Sequence, residues 1–166
     1  MGEKKEILKA YESILDQNFA QAIDWFEQAI AKDPDNAEYH YKLSITYARS
    51  DKLDKALFHA RAAAGFANGN EKYLFHLQHI TARDLVRQAE LALRKRHDRH
   101  AEAIELLERA TALDPLNVDG HLLLGAAYAA LRRYDQAIRS LEEVIRLDPQ
   151  HELGAKLLKE YNEQFK

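Results

Sequence analysis

The chain of 166 residues has no cysteine. Disulfides and thiolate metal sites are thereby excluded, and nothing can be argued about redox compartment. Proline is nearly absent, with only 3, there is a single Trp and a single Met, and valine is scarce. Ala, Leu, Glu, Lys, Arg and Gln dominate instead, which is the composition of helices. Long apolar runs are missing as well. The longest, Leu122 to Leu131, is about half of what a membrane span needs. The opening MGEKKEILK has no stretch apolar enough for a signal peptide, and Glu6 stands where a myristoylation signal needs Ser or Thr. The expected location is the cytoplasm, with no membrane partner. Charge of one sign is lacking too: a formal net charge of −3 argues against a general nucleic-acid binder. At 46% apolar and 31% charged, the chain suits one helical domain or a short repeat array with its own core.

The most ordered pattern lies at 118–149, VDGHLLLGAAYAALRRYDQAIRSLEEVIRLDP. Leu124, Gly125 and Tyr128 share one face of a first helix. Gly125 has no side chain to keep a neighbour away, which offsets its helix-propensity cost of about 1 kcal/mol. Arg132-Arg133-Tyr134-Asp135 interrupts the pattern, and Ala137, Ile138, Leu141, Val144 and Ile145 begin a second face. Pro149 cannot continue the helix and turns Asp148 away from helical geometry.

His121, Leu124-Gly125, Tyr128, Ala137, Leu141 and Pro149 together resemble the tetratricopeptide repeat, W-x2-LG-x2-Y, A-x3-F, P, over a period of about 34 residues. His121 takes the Trp place and Leu141 the Phe place. One period back, Pro115 follows Ala103 and Leu107. Pro34 follows Ala22 and Phe26, and Asn68 follows Ala56 and Ala60. His40, Leu43, Ser44 and Tyr47 repeat the first-helix pattern with Ser for Gly. Four units result, at about 3–36, 37–70, 71–117 and 118–149. The first and third depart from pattern in their first helices, with Lys9, Ala10, Ser13 and Glu90, Leu91, Arg94 at the Leu-Gly-Tyr places. The resemblance implies an all-α, right-handed superhelix of three to four antiparallel helix pairs, a TPR-like α-solenoid forming a single domain.

Helices are expected at 3–16, 19–32, 37–49, 53–65 and 100–112, before the pair in 118–149. Asn36 is a good N-cap. The fourth helix is alanine-rich, and Gly65 with Asn68-Gly69-Asn70 should break it. From Asn68 to Pro115 the spacing is one period plus thirteen residues. Leu74, Leu77, Thr81, Leu85, Ala89 and Ala92 keep helical spacing through that insertion, which predicts one long helix at 71–96, about 40 Å at 1.5 Å per residue. The alternative breaks it at Thr81, where Thr-Ala-Arg-Asp has the form of a capping box. A helix at 151–165, with Leu153, Leu157, Leu158, Tyr161 and Phe165, would cap the array.

In the resembling family, first helices line an inner groove that holds peptides or helices. Carried onto this chain, the groove places are Ile7 and Tyr11, then Tyr41, Ile45 and Ala48, then Gln88, Ala92 and Lys95, and finally Asp119, Leu122, Ala126 and Ala129. Ile7, Tyr11 and Tyr41 stand where clamp-type members carry Lys, Asn or Arg, so a carboxylate clamp is not expected. The resemblance implies an interaction scaffold that takes a partner protein's peptide or helix, with Tyr11 and Tyr41 as aromatic anchors. In the competing arrangement the long third-unit helix or the C-terminal helix fills the groove from within. Self-association is compatible with either.

Other chemistry finds little footing. His76 and His79 share a helix face but lack a third ligand, and Arg99 beside His100 in His97-Asp98-Arg99-His100 would repel a cation. His40 and His121 hold packing places. No metal or other cofactor is expected. Arg83, Arg87, Arg94, Lys95, Arg96 and Arg99 form a basic face over 83–99 that suits a polyanion or nucleic acid as the alternative function, although Asp84, Glu90 and Asp98 dilute it. There is no Gly-rich phosphate loop, no G-x-S-x-G and no H-E-x-x-H, and Ser13, Ser44, Ser50 and Ser140 have no base nearby in sequence. No enzyme activity is expected.

Overall fold

The computed structural model describes residues 3–95 and 99–164, and these hold nine α-helices and no strand. They are α1 (Glu3–Leu15), α2 (Phe19–Lys32), α3 (Ala37–Arg49), α4 (Leu53–Phe66), α5 (Glu71–Lys95), α6 (His100–Leu113), α7 (Val118–Ala130), α8 (Tyr134–Leu147) and α9 (Glu152–Gln164). The long helix is continuous, at 25 residues. Thr81 lies inside it, so the capping-box alternative fails: an unbroken apolar spacing outweighs one local cap. The expected break of the fourth helix comes one residue past Gly65, with Gly69 at a φ of 77° in the turn that follows. Helix α4 runs through to Phe66, because one glycine costs too little to end a helix whose last turns bury Ala60 and Ala63. Phe165 lies outside the described residues.

The chain divides into two compact units, Met1–Ile80 and Thr81–Lys166. The core of the first is built from Ala10 of α1, Ile23 and Phe26 of α2, Leu43 and Tyr47 of α3, Leu53, Ala56, Leu57 and Ala60 of α4, and Ile80 of α5. The core of the second comes from Ala82, Leu85, Val86 and Ala89 of α5, Ala103, Ile104 and Leu107 of α6, Leu124, Ala127 and Tyr128 of α7, and Ala137 of α8, with Tyr161 of α9 packed against it. The alanine stripe of α4 buries little area per residue, but it lets α3 and α4 approach closely.

The repeat pattern is visible atom by atom. Asn36 and Asn117 cap α3 and α7, each accepting a bond from the backbone N–H three residues on, at 3.2 and 2.8 Å. At the Trp places, His40 and His121 donate through Nε2 to the carbonyls of Pro34 (2.9 Å) and Pro115 (3.1 Å), tying each first helix to the turn before it. Tyr47 and Tyr128 then donate their hydroxyls to Glu27 and Glu108 of the preceding helix. Burial, and then that carboxylate, pushes the Tyr128 phenol up to about 12 and moves Tyr47 in the same direction.

The glycine place shows why Ser44 can replace Gly. A Cβ on Gly125 would lie 3.0 Å from Leu141 Cγ and 3.3 Å from the Ala137 carbonyl oxygen. In the earlier unit the Ser44 hydroxyl reaches the equivalent carbonyl, of Ala56, and donates to it at 2.7 Å. One site crowds any side chain, and the other converts the same approach into a hydrogen bond.

Candidate functional site on the first helices

The residues expected to line one groove fall in both units. In the first, Tyr11 is open to solvent at 38% and packs edge-to-face on Phe26, while Ile7 and Ile45 are half-buried. Tyr41 is half-buried under the first turns of α5, with Tyr73 and His76 ring centroids at 5.2 and 4.9 Å. The long helix therefore covers part of this face, at Tyr41, and leaves Tyr11 uncovered. Ala48 is packed into the core and does not stand open on the face. In the second unit Asp119 and Ala126 are exposed, and Leu122 and Ala129 are half-buried. Ala92 belongs to the buried set and so lines no open surface. Gln88 is exposed, but its amide donates to Asp84 at 2.7 Å. The Lys95 side chain lies outside the described residues.

The first unit also shows residues that the repeat places did not point to. Leu8 and Leu15 are 62% and 82% exposed, and with Tyr11 they recur at helical spacing along one side of α1. They were legible as apolar residues off the core stripe of Ile7, Ala10 and Ile14. Beside them, Lys42 lies 5.6 Å over the Tyr11 ring and 5.9 Å over Tyr41, and Lys72 lies 4.3 Å over Tyr41. Both ammonium groups pair with the same carboxylate, Glu38, at 3.6 and 2.9 Å, and Tyr73 donates to it at 2.7 Å. Burial raises the Glu38 carboxyl, but the bonds from Lys72 and Tyr73 outweigh it and the net shift is downward. Two cations on one anion leave a positive excess on an apolar and aromatic face.

The basic face of the second unit is partly answered from within. Arg87 pairs with Asp84 at 2.6 Å and Arg99 with Glu102 at 3.3 Å. Arg83 is half-buried, Arg94 is exposed, and Arg96, like the His97-Asp98 of the candidate chelate, lies outside the described residues. His76 donates from Nε2 to Ser44 at 2.8 Å, since the hydroxyl proton of Ser44 is committed to Ala56. No cluster of three or more His, Cys, Asp or Glu suited to a metal occurs among the described residues, and no described helix is long and apolar enough to cross a membrane.

Comparison with known proteins places this arrangement. Two tetratricopeptide repeat family models match, one over residues 96–161 and one over 16–51. The chain belongs to the tetratricopeptide repeat family. Solved structures with the same fold include MamA (TM-score 0.54, 21% identity, covering 93% of this chain and 82% of that one). MamA 41-end from Desulfovibrio magneticus RS-1 superposes with a TM-score of 0.59 at 16% identity, over 96% of this chain and 83% of that one. YrrB, described as a TPR protein with an unusual peptide-binding site, gives 0.51 at 19% identity, over 93% and 90%. No curated protein sequence matches significantly. The fold is an all-α tetratricopeptide-like helical repeat, and the chain is a protein–protein interaction scaffold.

Proposed function

We propose that the first-helix face of the unit Met1–Ile80 receives an amphipathic helix or extended segment of a partner protein. The observation that carries this reading is the row Leu8, Tyr11 and Leu15, three apolar side chains on one side of α1 that all remain open to solvent, Tyr11 even with one edge packed on Phe26. Burying such a row on a partner stabilises the complex by roughly 25 cal/mol per Å² of apolar area, less the cost of association. Tyr11 supplies a rigid aromatic anchor of the type that dominates interfaces. The positive excess of Lys42 and Lys72 over Glu38 favours a partner segment with an acidic residue flanking its apolar ones. The peptide-binding site ascribed to YrrB is consistent with this use of the fold.

The test is photo-crosslinking from a benzophenone placed at Tyr11, followed by titration of the captured segment. Binding should fall by about tenfold or more in Leu8→Glu/Leu15→Glu, checked for unchanged helicity, because each buried leucine contributes about 1.5–3 kcal/mol. It should depend only weakly on salt. An unchanged affinity in that variant, or a steep salt dependence traced to Arg94 and Arg99, would move the site to the basic face.

A further inference from the structure

The second helices of the first unit carry a pocket remote in character from the first-helix face. It is an open depression of about 400 Å³, lined by Glu27 of α2, Tyr47 of α3 and Asp54, Lys55, Phe58 and His59 of α4. One wall is a run of rings: Tyr47 stacks on His59 at 5.5 Å and 19°, and Phe58 meets His59 edge-on at 5.0 Å and 90°. Phe58 is 65% exposed, so most of its ring is open to a visitor.

The hydrogen-bond chain behind this wall sets what His59 offers. The Pro34 carbonyl can only accept, so with the ring neutral His40 carries its proton on Nε2 and leaves Nδ1 bare. Across the 2.9 Å contact between the two Nδ1 atoms, His59 must then be the donor. Its Nε2 is consequently the nitrogen with the lone pair. The pocket thus combines an imidazole acceptor, the carboxylates of Glu27 and Asp54, and an open aromatic ring. Against these stands one cation, Lys55, whose ammonium lies 5.2 Å over Tyr47. Anions are disfavoured by two carboxylates, and a purely apolar side chain would offer the His59 Nε2 lone pair no donor. An ammonium could be attracted but has no plane to lay on Phe58. A guanidinium presents five N–H donors in one plane, meets carboxylates in a forked geometry and stacks on aromatic rings.

We propose that this pocket receives the guanidinium of an arginine side chain from a partner protein, stacked on Phe58 and hydrogen-bonded to Glu27 and His59 Nε2, with the Asp54 charge beside it. Lys55 is exposed and long enough to swing aside. The site stands independently of the first-helix face, so either can fail alone.

The experiment titrates the full chain with acetyl-Gly-Arg-Gly-amide and its lysine and citrulline counterparts, following the ring resonances of His59 and Phe58 by NMR. The arginine peptide should shift both sets saturably. Citrulline, which keeps the shape and loses the charge, should bind about tenfold more weakly or worse, the difference expected when a hydrogen bond to a charged group is lost. The lysine peptide should fall between them. Phe58→Ala, a surface change expected to fold normally, should weaken arginine binding several-fold, Lys55→Gln should tighten it, and Tyr11→Ala should leave it unchanged. Three results would each overturn the assignment: no saturable shift at His59 and Phe58, equal binding of citrulline and arginine, or weaker binding on Lys55→Gln, which would mark an anion site.

Discussion

At the scale of single residues, two glycines that look alike in the sequence occupy different surroundings. Gly65 sits in α4 with nothing within 4 Å of where a Cβ would be, and Gly154 would place one 2.7 Å from Val144 Cγ1, a fully buried, stiff side chain. Gly65→Ala should therefore raise stability, by about 0.5–1 kcal/mol from helix propensity alone. Gly154→Ala should lower it by about 1–3 kcal/mol through overpacking. Thermal or urea unfolding of the two variants checks the opposite signs. A second prediction concerns the two histidines held in their uncharged forms. Burial lowers the imidazoles of His59 and His76 to about 4, with His40 beside the first and His79 beside the second acting in the same direction. The unfolded chain takes up their protons near pH 6.5, the folded chain only near 4. Their contribution is thus complete above about pH 6.5 and is lost as the pH falls toward 4, with a slope no steeper than about 1.4 kcal/mol per pH unit for each group. His76→Gln, which keeps a donor for Ser44 and cannot titrate, should flatten the fall in urea midpoint between pH 6.5 and 4.5. An unchanged slope would show that His76 is not one of the groups responsible.

At the scale of elements, the helix pairs share a turn that composition conceals. Gln17, Asp51 and Arg132 hold φ of 58°, 56° and 57°, the left-handed region, at equivalent places between the two helices of their pairs. Glycine would be the easy residue there, and in none of the three turns does the chain use it. A left-handed conformation costs an ordinary side chain about 1–2 kcal/mol, part of which glycine loses again through the unfolded state. Arg132→Gly should accordingly stabilise the α7–α8 pair by about 0.5–1 kcal/mol. A lowered urea midpoint would instead give the Arg132 side chain a structural role. The same scale explains α5. Its apolar positions support Ile80 in one unit and Ala82, Leu85 and Val86 in the other, so burial is continuous along the helix and no residue is free to end it.

At the scale of the molecule, each unit has its own core, and Phe26 and Leu107 are equivalent, fully buried centres of the two. Phe26→Ala should cost about 3–5 kcal/mol and Leu107→Ala about 2–5 kcal/mol. In a nearest-neighbour array the loss is felt first where it is made. Hydrogen exchange should quicken mostly in α1–α4 for the first variant and in α6–α8 for the second; equal acceleration throughout either one would mean the helices unfold as a single unit.

The sequence by itself determined the family, the all-α class and the places of the helices, because hydrophobic period, capping asparagines and Asp-Pro turns act over a few residues and need no tertiary partner; the continuity of α5 past Thr81 it left open. It also placed His40 and His121 in packing roles, since they stand where the repeat keeps a large ring. The tertiary structure alone decided which groove places remain open. Tyr41 and Tyr11 read alike in the pattern, yet α5 lays Tyr73 and His76 over the first and leaves the second to solvent. Ala48 and Ala92 likewise share the period of the lining and end in the buried set. Exposure depends on which helix arrives from far along the chain, and so does the convergence of Glu27, Tyr47, Phe58 and His59 on one pocket from three helices. Local spacing carries no information about either.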